Sequence, residues 1–92
     1  MDEHIERVFP IINVKGLHAR ASARFVETVE KFDADVWVSR DGMTVSGDSI
    51  MGLLMLAASK GTEIVVKARG AEAEGLADAL ELLVKNRFGE EA

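Results

Sequence analysis

Asp35-Val36-Trp37-Val38-Ser39-Arg40-Asp41-Gly42-Met43-Thr44-Val45 is the stretch on which the fold turns. Val36 and Val38 alternate with Trp37 and Ser39, so the two pairs point to opposite faces of a strand. Asp41-Gly42 then suits a two-residue turn with positive φ at both central positions, whose twist matches that of paired strands. The segment reads as an antiparallel hairpin of 35–40 and 43–45.

Toward the C-terminus, Ser49 can cap a helix over Ile50 to Ala58 that ends near Gly61, because its hydroxyl can accept from the first free backbone amides. If Leu53, Leu56 and Ala57 face the core, then Met51, Leu54 and Met55 fall on the other side, since helical neighbours lie three and four apart. Thr62 to Ala68 alternates around Ile64 and Val66 as another strand. Leu76, Leu80, Leu83 and Val84 stripe a last helix from about Ala71 to Phe88.

Toward the N-terminus, Val8 to Val14 is rich in β-branched and aromatic residues and reads as a strand. Pro10 cannot donate a ladder hydrogen bond, which favours an edge position. Gly16 breaks the pattern. From Ala19 the apolar residues Phe25, Val26, Val29 and Phe32 mark one helical stripe. The order is β-α-β-β-α-β-α, an α+β layer structure with an antiparallel sheet and its helices on one face.

The 92 residues fit one domain, residues 1–92. Apolar residues at 48% and charged residues at 29% are ordinary globular usage, so the chain should fold unaided. The absence of cysteine excludes disulfides and thiolate metal sites, and the chain reads as cytoplasmic. No apolar stretch approaches the roughly 20 residues that span a bilayer, so membrane insertion is not expected. The net charge of −5 argues against a nucleic-acid partner. Yet from Asn13 to Val26 there are Lys15, Arg20 and Arg24 and no carboxylate, whereas Glu72, Glu74, Asp78, Glu81, Glu90 and Glu91 crowd the later part. That local basic segment suits a small anion or an acidic partner surface.

His18 lies between a strand and a helix, just before Ala19-Arg20-Ala21, where helix amides have no intrahelical partner. Those amides and the helix dipole could hold a phosphate attached to the ring, and the same field favours the neutral, nucleophilic imidazole. Arg20 cannot lose its charge, and its planar fork could pair with phosphoryl oxygens. Spacing alone leaves the readings open: a nucleophile or else a solvent-facing or helix-capping histidine at 18, and a clamp or an ordinary surface arginine at 20. Ser49 reads first as a helix cap. The Met51, Leu54, Met55 face reads as a docking surface or as a face covered by a third layer. His4 reads as solvated and idle. Two histidines and scattered carboxylates offer no metal-ligand spacing, and Gly16 is no nucleotide cradle, so neither metal nor cofactor is expected.

Gly16-Leu17-His18-Ala19-Arg20 resembles the phosphorylation-site motif of HPr, the histidine phosphocarrier family of the phosphoenolpyruvate phosphotransferase system. Asp48-Ser49-Ile50-Met51-Gly52 resembles that family's regulatory serine segment, Asp41-Gly42 falls at its second-to-third strand hairpin, and the resemblance covers essentially Val8 to Val84. It implies an open-faced β-sandwich with four antiparallel strands in the order one-four-two-three, backed by three helices. It implies a carrier and not a free-standing enzyme: Enzyme I would phosphorylate His18 on Nδ1 from phosphoenolpyruvate, and His18 would pass the group to a histidine of a IIA-type protein. Arg20 would be the phosphate-pairing arginine, Leu17, Ile50, Met51 and Leu54 the apolar docking surface, Ser49 the target of a HPr kinase/phosphorylase, and the protein a monomer.

Two positions depart from the family pattern. Ala21 stands where proline is usual, and Ala19-Arg20-Ala21-Ser22 resembles the variant found in nitrogen-type systems. Asp48 stands where lysine often precedes the regulatory serine. The competing reading from another class is a non-catalytic small-ligand-binding or allosteric module, since small α+β sheets host many regulatory functions.

Overall fold

The computed structural model describes residues 4–92. Its elements are β1 (Ile5–Pro10), α1 (Ala19–Val29), β2 (Asp35–Arg40), β3 (Met43–Ser46), α2 (Ile50–Met55), β4 (Glu63–Arg69) and α3 (Ala73–Lys85), followed by a 3₁₀ turn over Arg87–Gly89. The strands form one antiparallel sheet in the order β1-β4-β2-β3. The order β-α-β-β-α-β-α and the open-faced sheet with three helices agree with the reading of the sequence.

The hairpin forms as its turn residues require. Trp37 pairs with Ser46, Val38 with Val45, Ser39 with Thr44 and Arg40 with Met43, leaving Asp41 and Gly42 as the turn. Their φ values are 49° and 81°, the left-handed conformation that Asp-Gly tolerates best. β4 then lies between β1 and β2, and its alternation places Ile64, Val66 and Ala68 in the core. Val36 and Val38 of β2 and Phe9 of β1 join them on the same face. Phe25, Val26 and Val29 of α1 and Leu76, Leu80 and Val84 of α3 cover that face. A fully buried side chain of this kind contributes about 1.5–3 kcal/mol. On the open face Arg69 stacks over Trp37, 5.5 Å from the ring centre.

Three elements differ most from the sequence reading at their ends. β1 begins at Ile5 and ends at Pro10, not at Val8 and Val14. It lies on an edge, as Pro10 requires, and beyond it Ile11 still donates to Thr62 O at 2.8 Å before the chain turns at Asn13 to Gly16. α2 ends at Met55 because Ala57 takes a left-handed φ of 50° with its amide on Leu54 O. Ala57 is therefore exposed, and Ala58 fills the core position expected of it. α3 stops at Lys85, since Arg87 and Phe88 have φ of 54° and 55°, and this left-handed pair folds Phe88 into the core.

Candidate functional site

His18 is the N-cap of α1, with extended backbone and a carbonyl that accepts the first intrahelical bond from Ser22 N at 2.8 Å. Its Nδ1 accepts from the amide of Arg20 at 3.3 Å. That is longer than the usual 2.9–3.0 Å or so, hence a weak bond that a phosphate oxygen can displace. His18 is thus a helix-capping histidine, its ring meeting the helix through the nitrogen aimed at the free amides. The side chain is 25% exposed, enough for an incoming group to reach.

The loop before His18 is held from two sides. Gly16, with φ of 65°, closes a turn through its amide to Asn13 O at 3.1 Å, and Leu17 N donates to Ala58 O at 2.9 Å. This contact between the His18 loop and the segment after α2 sets the distance between the helix N-terminus and the Ser49 region. It also draws the Leu17 side chain inward to 4% exposure, packed in the core. Leu17 is thus a core residue and does not belong to the docking surface expected of it.

The opposite side of His18 holds a residue that the sequence reading passed over. Glu90 Oε2 contacts His18 Nε2, while Glu90 Oε1 accepts from Asn13 Nδ2 at 2.9 Å. Partial burial pushes the Glu90 carboxyl up, but the Asn13 amide, His18 and Lys15 outweigh it and hold the group below the usual carboxylate range. In the sequence Glu90 is one of several acids crowding the C-terminal part. The signal that could have found it is Phe88-Gly89 directly before it, an apolar residue and a chain-reversing glycine after a helix.

Arg20 is exposed on the first turn of α1 and, with Lys15 and Arg24, lines an open groove of about 440 Å³ closed at its far side by Gly89 to Ala92. Arg24 donates to Phe88 O at 2.7 Å, which ties α1 to the tail. His18 itself opens on a smaller recess of about 200 Å³ bounded by Lys15, Leu17 and Ala57 to Ser59. The basic segment read from the sequence thus borders the imidazole.

Ser49 caps α2, its Oγ accepting from Gly52 N at 3.0 Å. Asp48 beside it is exposed and accepts from Ser46 Oγ at 2.6 Å. Ile50 and Met51 are exposed at 41% and 70%, Met55 at 64%, and Leu54 is half-buried. These form an apolar face next to Ser49 that no third layer covers among the described residues. His4 is half-exposed ahead of β1, with its Nε2 3.9 Å from Glu6 Oε1. Among the described residues no cluster of acidic, histidine or cysteine side chains could hold a metal, and no helix is long and apolar enough to cross a membrane.

With this geometry in place, the similarities to known proteins carry more than resemblance of motifs. The family model for the PTS HPr component phosphorylation site matches residues 5–86. The chain is 45% identical over 86 residues to the phosphocarrier protein HPr of Neisseria meningitidis serogroup A, a match covering 94% of this chain and 97% of that protein. It is 43% identical over 86 residues to the phosphocarrier protein HPr of Cupriavidus necator, with the same coverage of 94% and 97%. The crystal structure of HPr-C-His from Thermoanaerobacter tengcongensis superposes with a TM-score of 0.91 at 40% identity, covering 96% of this chain and 99% of that one.

Proposed function

The chain belongs to the HPr family and is a phosphocarrier of the phosphotransferase system, and from that premise we propose that His18 receives the phosphoryl group on Nδ1. The observation that carries this is the position of Nδ1 at the N-terminus of α1, facing the Arg20 amide over a weak bond. An attached phosphoryl group can take over that amide and gains from the positive end of an 11-residue helix. Family membership gives Enzyme I and IIA-type proteins as partners in general. In our reading Enzyme I, charged from phosphoenolpyruvate, is the donor, and a histidine of a IIA-type protein is the acceptor.

Arg20 supplies the charge that pairs with the phosphoryl oxygens during transfer, since an exposed guanidinium on the first turn can reach toward Nδ1 without leaving a buried site. Ile50, Met51 and Leu54 form the apolar surface on which both partners seat, with Met55 extending it. Incubation with Enzyme I and phosphoenolpyruvate is expected to add the mass of one phosphoryl group, labile in acid and stable in base, as a phosphoramidate is. No mass gain, or an acid-stable product, overturns the proposal.

Ser49 is in this reading a regulatory phosphorylation site for a HPr kinase/phosphorylase. The phosphate adds about −1.5 to −2 charge at neutral pH, and its oxygens can still accept from Gly52 N. The fold is kept, and the effect falls on docking: an anion beside Met51 must be desolvated against any partner that covers this face. Phosphorylation of Ser49 is expected to slow phosphorylation of His18 by at least tenfold with the melting temperature changed by no more than about 3 °C. Ser49→Asp, with less charge, should show a weaker effect. Equal rates for wild type and for the Ser49-phosphorylated protein would leave Ser49 as a helix cap alone.

A further inference from the structure

Asn13, Glu90 and His18 form a continuous chain of contacts. Asn13 is fully buried. Its Nδ2 donates both to Gly16 O at 2.8 Å and to Glu90 Oε1 at 2.9 Å, and its Oδ1 has no partner among the described residues. Turning the amide over would set Oδ1 against a carbonyl and a carboxylate, so the orientation of Asn13 is fixed by its surroundings. Asn13 thereby claims one carboxylate oxygen of Glu90 and aims the other at His18 Nε2. The carboxylate is side-chain exposed by only 13%, a partly desolvated position in which a charged contact is stronger than at the surface.

We propose that Glu90 is a positioning residue for phosphoryl transfer, fixing the Nε2–H tautomer of His18 and compensating the charge the ring acquires. The inference rests on the reading of His18 as the phosphoryl acceptor. An ionised carboxylate can only accept, so the Nε2 facing it carries the hydrogen, and a neutral imidazole then has its lone pair on Nδ1. The Arg20 amide imposes the same assignment from the other side, since it can only donate to Nδ1. In transfer the Nδ1 lone pair forms the new N–P bond, while the bond from phosphorus to the donor breaks and its electron pair leaves with the donor. No proton moves on His18. The ring becomes a phosphorylated imidazolium with Nε2–H still on Glu90, and the carboxylate balances that positive charge. In the reverse sense the group leaves to the next acceptor and the neutral Nε2–H ring is restored.

The discriminating substitution is Glu90→Gln. Glutamine has one acceptor oxygen where glutamate has two, and Asn13 and His18 both need an acceptor. If the oxygen stays on Asn13, whose orientation is fixed, the glutamine NH₂ faces Nε2 and drives the hydrogen to Nδ1, which removes the nucleophilic lone pair. The full chain and its Glu90→Gln and Glu90→Ala variants should be compared by the ¹⁵N chemical shifts of the His18 ring and by the rate of phosphorylation with Enzyme I and phosphoenolpyruvate. Wild type is expected to show a protonated Nε2 and an unprotonated Nδ1. Glu90→Gln should populate the Nδ1–H form and slow the reaction about tenfold, and Glu90→Ala should lose part of the tautomer preference with a smaller rate loss. Melting should stay near wild type because Phe88 still anchors the tail. If either the ring pattern or the rate of Glu90→Gln stays at the wild-type value, the positioning role is overturned. A wild-type chain that accepts no phosphate refutes the acceptor reading instead, and the ring pattern, which needs no partner, still decides whether Glu90 sets the tautomer.

Discussion

His18→Ala is expected to accept no phosphoryl group from Enzyme I, a loss to below detection that leaves the domain folded. The acceptor must be a neutral nitrogen with its lone pair exposed at an anion-stabilising position, and His18 Nδ1 meets this at the start of α1. The chain has only two histidines, and the other, His4, sits beside Glu6, whose charge disfavours an approaching phosphate. Stability should change little. The ring caps α1 through one bond of 3.3 Å and meets the Glu90 carboxylate, which keeps Asn13 as a partner, so losing the ring costs about 1–2 kcal/mol, while the covering helix keeps Phe25, Val26 and Val29 in the core. Intact mass after reaction and a thermal melt of the same sample check both halves. An acid-labile phosphoryl group on the variant would move the acceptor elsewhere, and a collapsed melt would mean that His18 is chiefly structural.

The largest stability effect is expected from Gly16→Ala. A Cβ at this position would lie 2.5 Å from Ala58 O and 2.8 Å from Ser59 Cα, and the φ of 65° is in the left-handed region. The conformation itself costs about 1–2 kcal/mol for a residue with Cβ. The overlap adds about 1–3 kcal/mol, because both obstructing atoms are backbone and cannot rotate away. For a domain of this size the sum corresponds to a fall in melting temperature on the order of 10 °C or more. Relief requires the loop to part from residues 58 and 59, breaking the Leu17 N to Ala58 O bond and shifting His18 relative to the α2 face. Thermal unfolding followed by circular dichroism measures the first effect, and the phosphorylation rate of the folded fraction measures the second. A melting temperature within about 2 °C of wild type would show that the loop yields freely and that Gly16 is not the hinge of the site.

What could be read from the sequence was whatever rests on short-range physics. Alternation over Asp35 to Arg40, the positive-φ tolerance of Asp41-Gly42, the edge demanded by Pro10 and the capping chemistry of Ser49 each act within a few residues, and the hairpin, the edge strand and the capped helix all formed, the last two with different ends. His18 stood out for the same reason, since a helix start is a local feature. Element ends were less legible, because Ala57 and Phe88 carry no local mark of a left-handed turn; the core beneath decides that Ala58 and Phe88 are drawn in. Leu17 shows the same limit, an apolar residue beside the site whose direction depends on a bond to Ala58 that the sequence does not announce. Glu90 lies 72 positions from His18 and looks like one more surface acid until burial of Phe88 turns the tail back. Periodicity and turn chemistry thus determined the sheet, the helices and the place of His18 at a helix start, whereas packing of the chain end against the core decided which carboxylate stands behind the ring, because Phe88-Gly89 marks a chain reversal locally but a partner 72 positions away is set only by tertiary packing.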